Sequence, residues 1–162
     1  MASTPQSVPD LARLFASRGN VHVQRYLHSQ KRDDLERAIS TVRTAIGLAQ
    51  NDSRPVLGPM LAKFGTMWLM RYECTDRKSD LDEALRYTLW ALDDVSDLDS
   101  DQAIMLATVS HILASRHERV GEGQDLEEAI SRMRTAVRIQ STKGEGSLLA
   151  IMFNNLGGLL FR

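Results

Sequence analysis

The sequence predicts an all-α chain: a solenoid of about three and a half helix pairs, seven helices in all. Three observations carry this. The chain repeats itself at a displacement of about 46 residues, the signature of a repeat architecture. Apolar residues recur at steps of three and four, as on helices with one buried face. The four prolines stand at Pro5, Pro9, Pro55 and Pro59, so nothing obstructs long helices from Met60 to Arg162.

The repeat is read residue by residue. Its landmarks in the first copy are Phe15, Gly19, Arg25, Tyr26, Asp34, Leu35, Ala38, Ile39 and Ala45. The second copy, displaced by 46, has Leu61, Gly65, Arg71, Tyr72, Asp80, Leu81, Ala84, Leu85 and Ala91. The third follows at 45 with Leu106, Ser110, Arg116, His117, Asp125, Leu126, Ala129, Ile130 and Ala136. A fourth begins at Phe153, Leu156 and Gly157. The copies divide the chain into a loose tail over 1–9 and one repeat domain over 10–162, with repeats at about 10–53, 54–99 and 100–146 and a partial one at 147–162.

Each copy reads as two antiparallel helices, the seven running over 10–28, 33–50, 54–74, 79–95, 101–119, 124–141 and 147–161. The spacing of Leu61, Phe64, Trp68 and Tyr72 gives one face, and that of Leu81, Leu85, Leu89 and Leu92 the face opposite it. Second helices are expected to open on the capping pairs Asp33 with Glu36, Ser79 with Asp82 and Gln124 with Glu127. Gly19, Gly65, Ser110 and Gly157 fall in the middle of first helices, where glycine costs about 1 kcal/mol against alanine and implies a close neighbour. The pairs Ala38 with Ala45, Ala84 with Ala91 and Ala129 with Ala136 lie on one face of each second helix, a shallow stripe that admits that neighbour.

Charge and composition narrow the function. Twenty basic against 21 acidic residues leave a net charge of −1, with no surplus of cations for a nucleic acid or an anionic membrane. The longest apolar run, Leu148 to Phe153, is far short of the roughly 20 residues that span a bilayer. The single Cys74 forms no internal disulfide framework and suits a reducing, cytoplasmic compartment. It is expected to be a buried or incidental thiol.

No catalytic, cofactor or metal constellation is legible. His22 and His28, like His111 and His117, are six apart, about 120° round a helix, where two ligands of one ion need three or four. The acids Asp93, Asp94, Asp97, Asp99 and Asp101 lead to Gln102 and Thr108 where a calcium loop needs glycine and glutamate. Asp99 or Ser100 as a cap for the fifth helix is the simpler expectation. Arg25, Arg71 and Arg116 recur at the ends of first helices, as solvated partners for the acids that open the next. An enzyme using His111 with acids across a groove is the rival from another class; no nucleophile, base and orienter fall at readable spacing.

Several motifs carry a family likeness. A large apolar residue, an apolar position three on, a small residue after it, and two small residues seven apart in the next helix together resemble the tetratricopeptide (TPR) repeat. The stretches Phe153-Asn154-Asn155-Leu156-Gly157, Arg71-Tyr72-Glu73 and Asp125-Leu126-Glu127-Glu128-Ala129-Ile130 are similar to the long tetratricopeptide-like repeats of fungal proteins, which often accompany caspase-like or nucleotide-binding switch domains. The likeness covers about 150 residues. It implies a right-handed α-α superhelix that binds a protein or peptide along a concave groove of first helices. Carried over position by position, the groove residues are Asn20, Val23 and Gln24, then Thr66, Leu69 and Met70, then His111, Ala114 and Ser115. That set is mixed and nearly uncharged.

The C-terminal end is expected to be uncovered. Each repeat of a solenoid buries its apolar side only against a neighbour. Phe153, Leu156, Leu160 and Phe161 have no following helix, and leaving two such side chains exposed forgoes about 3 to 6 kcal/mol of burial. Two expectations follow: pairing between copies through this end, or a shortened relative of a longer signalling protein.

Overall fold

The computed structural model describes residues 7–49, 54–93, 100–121, 123–143 and 146–161. Among them the chain is wholly helical, with seven helices and no strand: α1 (Val8–Ser29), α2 (Arg32–Ala49), α3 (Arg54–Thr75), α4 (Lys78–Asp93), α5 (Ser100–Val120), α6 (Gly123–Ser141) and α7 (Gly146–Leu160). α1 starts two residues before the predicted point. The Ser7 hydroxyl accepts from the Asp10 amide at 3.3 Å, and Pro9 sits in the first turn, where its missing N–H is no loss. Pro59 lies deeper, inside α3, and removes one helical hydrogen bond.

The helices pack in adjacent pairs, α1 with α2, α3 with α4 and α5 with α6; α7 packs on α6. The first two pairs turn through two residues, 30–31 and 76–77. The first helix closes on a left-handed residue whose amide donates to the carbonyl four back: Gln30 to Tyr26, Asp76 to Tyr72 and Gly121 to His117, each at 2.7 Å. The same ending therefore recurs at the repeat period, with glycine in only one copy.

The mid-helix small residues do what their spacing predicts in three copies. A Cβ on Gly19 would come within 2.3 Å of Val42 Cγ2, and one on Gly65 within 2.2 Å of Thr88 Oγ1. The Ser110 hydroxyl donates to the Ala129 carbonyl at 2.7 Å. Ala38, Ala45, Ala84, Ala91, Ala129 and Ala136 are all fully buried. Replacing Ala84 by Leu is expected to overpack this contact and cost about 1–3 kcal/mol by urea unfolding; a loss near zero would contradict close hairpin packing. The fourth small residue, Gly157, differs: a Cβ there meets nothing within 4 Å.

The capping pairs are corrected by one residue. The second helices begin at Arg32, Lys78 and Gly123, so Asp33, Ser79 and Gln124 stand exposed within the first turn. The acid that organises each start is the next one: Asp34, Asp80 or Asp125, all buried. Ser29 donates to Asp34 at 3.3 Å and Thr75 to Asp80 at 2.7 Å, and the same two hydroxyls accept from the amides of Lys31 and Arg77. Asp99 and the side chain of Ser100, the expected caps of α5, lie outside the described residues.

The recurring arginines answer these aspartates. Arg71 grips Asp80 with two bonds, Nε to Oδ2 at 3.1 Å and Nη2 to Oδ1 at 2.6 Å. Arg116 does the same to Asp125 at 2.7 and 2.6 Å. Both also reach back to the preceding hairpin, Arg71 to Glu36 at 3.3 Å and Arg116 to Asp82 at 3.8 Å, which are equivalent positions on α2 and α4. The expectation of solvated arginines therefore holds only for Arg25, whose side chain is 58% exposed and meets Asp34 at 3.5 Å. In the other two copies a preceding hairpin covers the arginine, which no local pattern reveals.

Two apolar clusters form the interior. One runs from α1 to α4 and takes in Met105 and Ile112 of α5, the other joins α5 to α7, and Leu85 and Leu92 of α4 pack against both. Cys74 is exposed, so of the expected buried or incidental thiol the buried alternative fails, and its Sγ lies 2.8 Å from the Tyr26 hydroxyl, tying the first hairpin to the second. That hydrogen bond, with burial adding to it, pushes the Tyr26 phenol up to about 12.

Candidate functional site

First helices of successive hairpins touch lightly, α1 on α3 and α3 on α5, and leave hollows between them. The hollow between α1 and α3 measures about 320 Å³ and is floored by Val42 and Met60, with Asn20, Arg13 and Lys63 on its walls. Between α3 and α5 lies one of about 230 Å³, floored by Thr88 and Met105 with Thr66, Ile104 and Thr108 around it. A third, of about 320 Å³ between α5 and α7, is floored by Met133 and bounded by His111, Asn154 and Asn155. Val42, Thr88 and Met133 occupy the same repeat position, so the three hollows form a periodic row.

The nine predicted groove residues divide along this row. Asn20, Thr66 and His111, themselves equivalent, take one hollow each, and Ala114 adds an edge to the third. Gln24 borders a shallower depression with Asn20, Arg25 and His28 near the start of α2. Leu69, Ala114 and Ser115 are buried, and Val23 and Met70 are half-buried. Leu69 and Ala114 stand four residues after Gly65 and Ser110, and so on the face that the partner helix covers.

The structure adds residues that position-by-position transfer missed. Ser17, Lys63 and Thr108 are equivalent and lie two residues before the small residue; Arg13, Pro59 and Ile104 lie six before it, and all six line hollows. The first two hollows therefore extend toward the N-terminal half of the first helices, whereas the third is lined on α5 by Ser110, His111 and Ala114. Side chains lean toward the N-terminus of their helix, a signal that would have shifted the reading this way. Arg13 and Lys63 bring positive charge to the first hollow, which corrects the picture of a nearly uncharged surface. His111 has two carboxamides beside it, and no carboxylate lines its hollow. Among the described residues no three His, Cys, Asp or Glu side chains gather as metal ligands would, and no helix is long and apolar enough to cross a membrane.

A second surface feature lies at the junction of α2, α3 and α4. Arg71 stacks over the Trp68 ring at 4.1 Å, Arg43 stands 5.8 Å from it, and Arg86 lies over Tyr87 at 4.2 Å. With Ser79 and Glu83 these side chains line a hollow of about 320 Å³. Trp68 stands where the other copies have His22 and Leu113, so the cluster is particular to the second repeat, and that departure was its only trace in the sequence.

The hollows can bind and enclose a ligand. Compared with known proteins, the chain matches no family model and no curated protein.

Proposed function

We propose that the chain is a protein-interaction module, a right-handed tetratricopeptide-like solenoid that holds a protein or peptide segment along its first helices and performs no chemistry itself. The observation that carries this reading is the periodic row of hollows, each with the same repeat position as its floor and each holding one of Asn20, Thr66 and His111. A row of hollows floored by Val42, Thr88 and Met133 and ringed by hydroxyls, carboxamides and the charged Arg13, Lys63 and Asp101 suits an extended segment: its side chains enter the hollows and its backbone is hydrogen-bonded between them. Arg13 and Lys63 favour an acidic group at the α1 end. An exposed free thiol at Cys74 accords with a reducing, cytoplasmic setting.

A peptide array probed with the purified chain, followed by titration of the best binder, tests the reading. Thr66→Arg fills the central hollow and is expected to weaken binding at least tenfold. Arg86→Glu, on the other surface, is expected to leave it unchanged. Loss with Arg86→Glu but not Thr66→Arg would move the site to the arginine–aromatic hollow and defeat the proposal.

A further inference from the structure

Arg43 differs from the arginines that serve the fold. Arg71 and Arg116 grip buried aspartates, and Arg86 pairs with Glu83 one turn before it on α4. Arg43 is exposed on α2 and meets no carboxylate among the described residues. Its guanidinium lies over the Trp68 ring, 5.8 Å from the centre, and Arg71 lies over the same ring at 4.1 Å, so two cations share one indole. Trp68 is itself 5% exposed and held edge-on against Phe64 at 5.9 Å.

The fold does not require this arrangement. One repeat further on, the positions of Arg43 and Trp68 hold Leu89 and Leu113, which pack in the second apolar cluster. The junction between hairpins is thus closed by leucines in one place and carries a cation over an aromatic ring in the other. Arg43 and Arg86 line the same hollow of about 320 Å³, from α2 and α4, with the exposed Ser79 beside them and Glu83 as the only acid among its described lining residues.

Charge decides what the hollow takes. Asp80 balances Arg71, Arg32 balances Glu36 and Glu83 balances Arg86, which leaves the single positive charge of Arg43. A monoanion neutralises it, whereas a phosphate dianion leaves a negative charge in excess beside Glu83. A guanidinium lying over a ring keeps its in-plane N–H groups for other partners, and that fork matches the two oxygens of a carboxylate. A side chain already held over Trp68 also loses less freedom on binding than a solvated one.

We propose that the hollow between Arg43 and Arg86 is a carboxylate-binding site, with Arg43 as the bidentate donor and Arg86 as a second contact. The site goes beyond the peptide-binding row and stands whether or not that row is occupied.

The test is a titration of the whole chain, labelled with nitrogen-15 and followed at the arginine side-chain N–H signals. The probes are N-acetylglutamate amide, with a side-chain carboxylate; N-acetylglutamine, with a terminal one; the neutral N-acetylglutamine amide; and inorganic phosphate. Saturable shifts at Arg43 and Arg86 are expected with a carboxylate probe and none with the neutral one, and the tighter of the two carboxylates tells whether an acidic side chain or a chain terminus is the natural source. Arg43→Gln, followed at Arg86, is expected to weaken binding at least tenfold while the melting temperature holds, because Arg43 is exposed and has no acid to lose. Glu83→Gln frees Arg86 and is expected to tighten binding at least twofold. Arg134→Gln, at the equivalent exposed position of α6, is expected to change nothing. Absence of saturable shifts with both carboxylates, equal binding of the neutral probe, binding undiminished by Arg43→Gln, or phosphate binding tighter than either carboxylate would overturn the proposal.

Discussion

Arg71→Ala is expected to cost about 3–5 kcal/mol of folding stability at pH 7, the range for removing one partner of a buried ion pair. Asp80 is 0% exposed and Arg71 17%, so solvent cannot replace the lost guanidinium. Burial pushes the Asp80 carboxyl up, but the hydrogen bonds from Arg71 and Thr75 outweigh it and hold the group below the usual carboxylate range. Without Arg71, the Thr75 hydroxyl at 2.7 Å and the more distant charge of Arg77 remain, and burial dominates. The same variant breaks the link to Glu36, a polar tie between first and second hairpins. Arg25→Ala, losing one contact of 3.5 Å from a side chain 58% exposed, is expected to cost no more than about 1 kcal/mol.

The sign of the pH dependence follows. With Asp80 and Asp125 both held below the ordinary value, their contribution is fully present above the unfolded pKa of about 3.9 and is lost as pH falls through the folded values. In Arg71→Ala the Asp80 carboxyl is raised instead, so acid favours its folded form. The deficit of the variant should therefore shrink between pH 7 and pH 4. Urea unfolding at both pH values checks this; a deficit below about 1 kcal/mol at pH 7, or one that grows toward acid, would count against the buried clamp.

One substitution made at two equivalent positions should give opposite signs. Gly65→Ala places a Cβ 2.2 Å from Thr88 Oγ1 and 3.1 Å from the Ala84 carbonyl oxygen. Thr88 cannot yield cheaply, being buried with its hydroxyl donating to that same carbonyl at 2.8 Å. The helices must separate, at a net loss of about 1–3 kcal/mol even after the helix-propensity gain of alanine. Gly157→Ala meets nothing and keeps the propensity term alone, a gain of about 0.5–1 kcal/mol. Thermal and urea unfolding of the two variants measure this directly. A loss at Gly157 comparable to that at Gly65 would mean that α7 is covered after all.

The helices were legible in the sequence because each buries a single face. Apolar steps of three and four set every described boundary within about two residues of its predicted place. The hairpin contacts at Gly19, Gly65 and Ser110 were legible for the same reason. What escaped was set by neighbours across hairpins. Arg71 and Arg116 looked solvated because Glu36 and Asp82, which meet them from the preceding hairpin, stand about 35 residues earlier. Of the expected groove residues, Asn20, Thr66, His111 and Ala114 line hollows, whereas Leu69 and Ser115 are turned under neighbouring helices and buried. At the end of the chain the reading was right for Phe153, Leu160 and Phe161, which are exposed, while Leu156 is half-buried on the side of α7 that packs with Met152 and Leu159.

Amide hydrogen exchange on the intact chain tests the central claim, that three first helices are covered by their own second helices and a fourth is not. Regions covered on both sides open only with the whole fold, whereas a helix packed on one side opens locally. Protection in α3 and α5 that approaches the global unfolding free energy, with α7 exchanging at least ten times faster, is the predicted result. Equal protection in α7 and α5 would contradict the account.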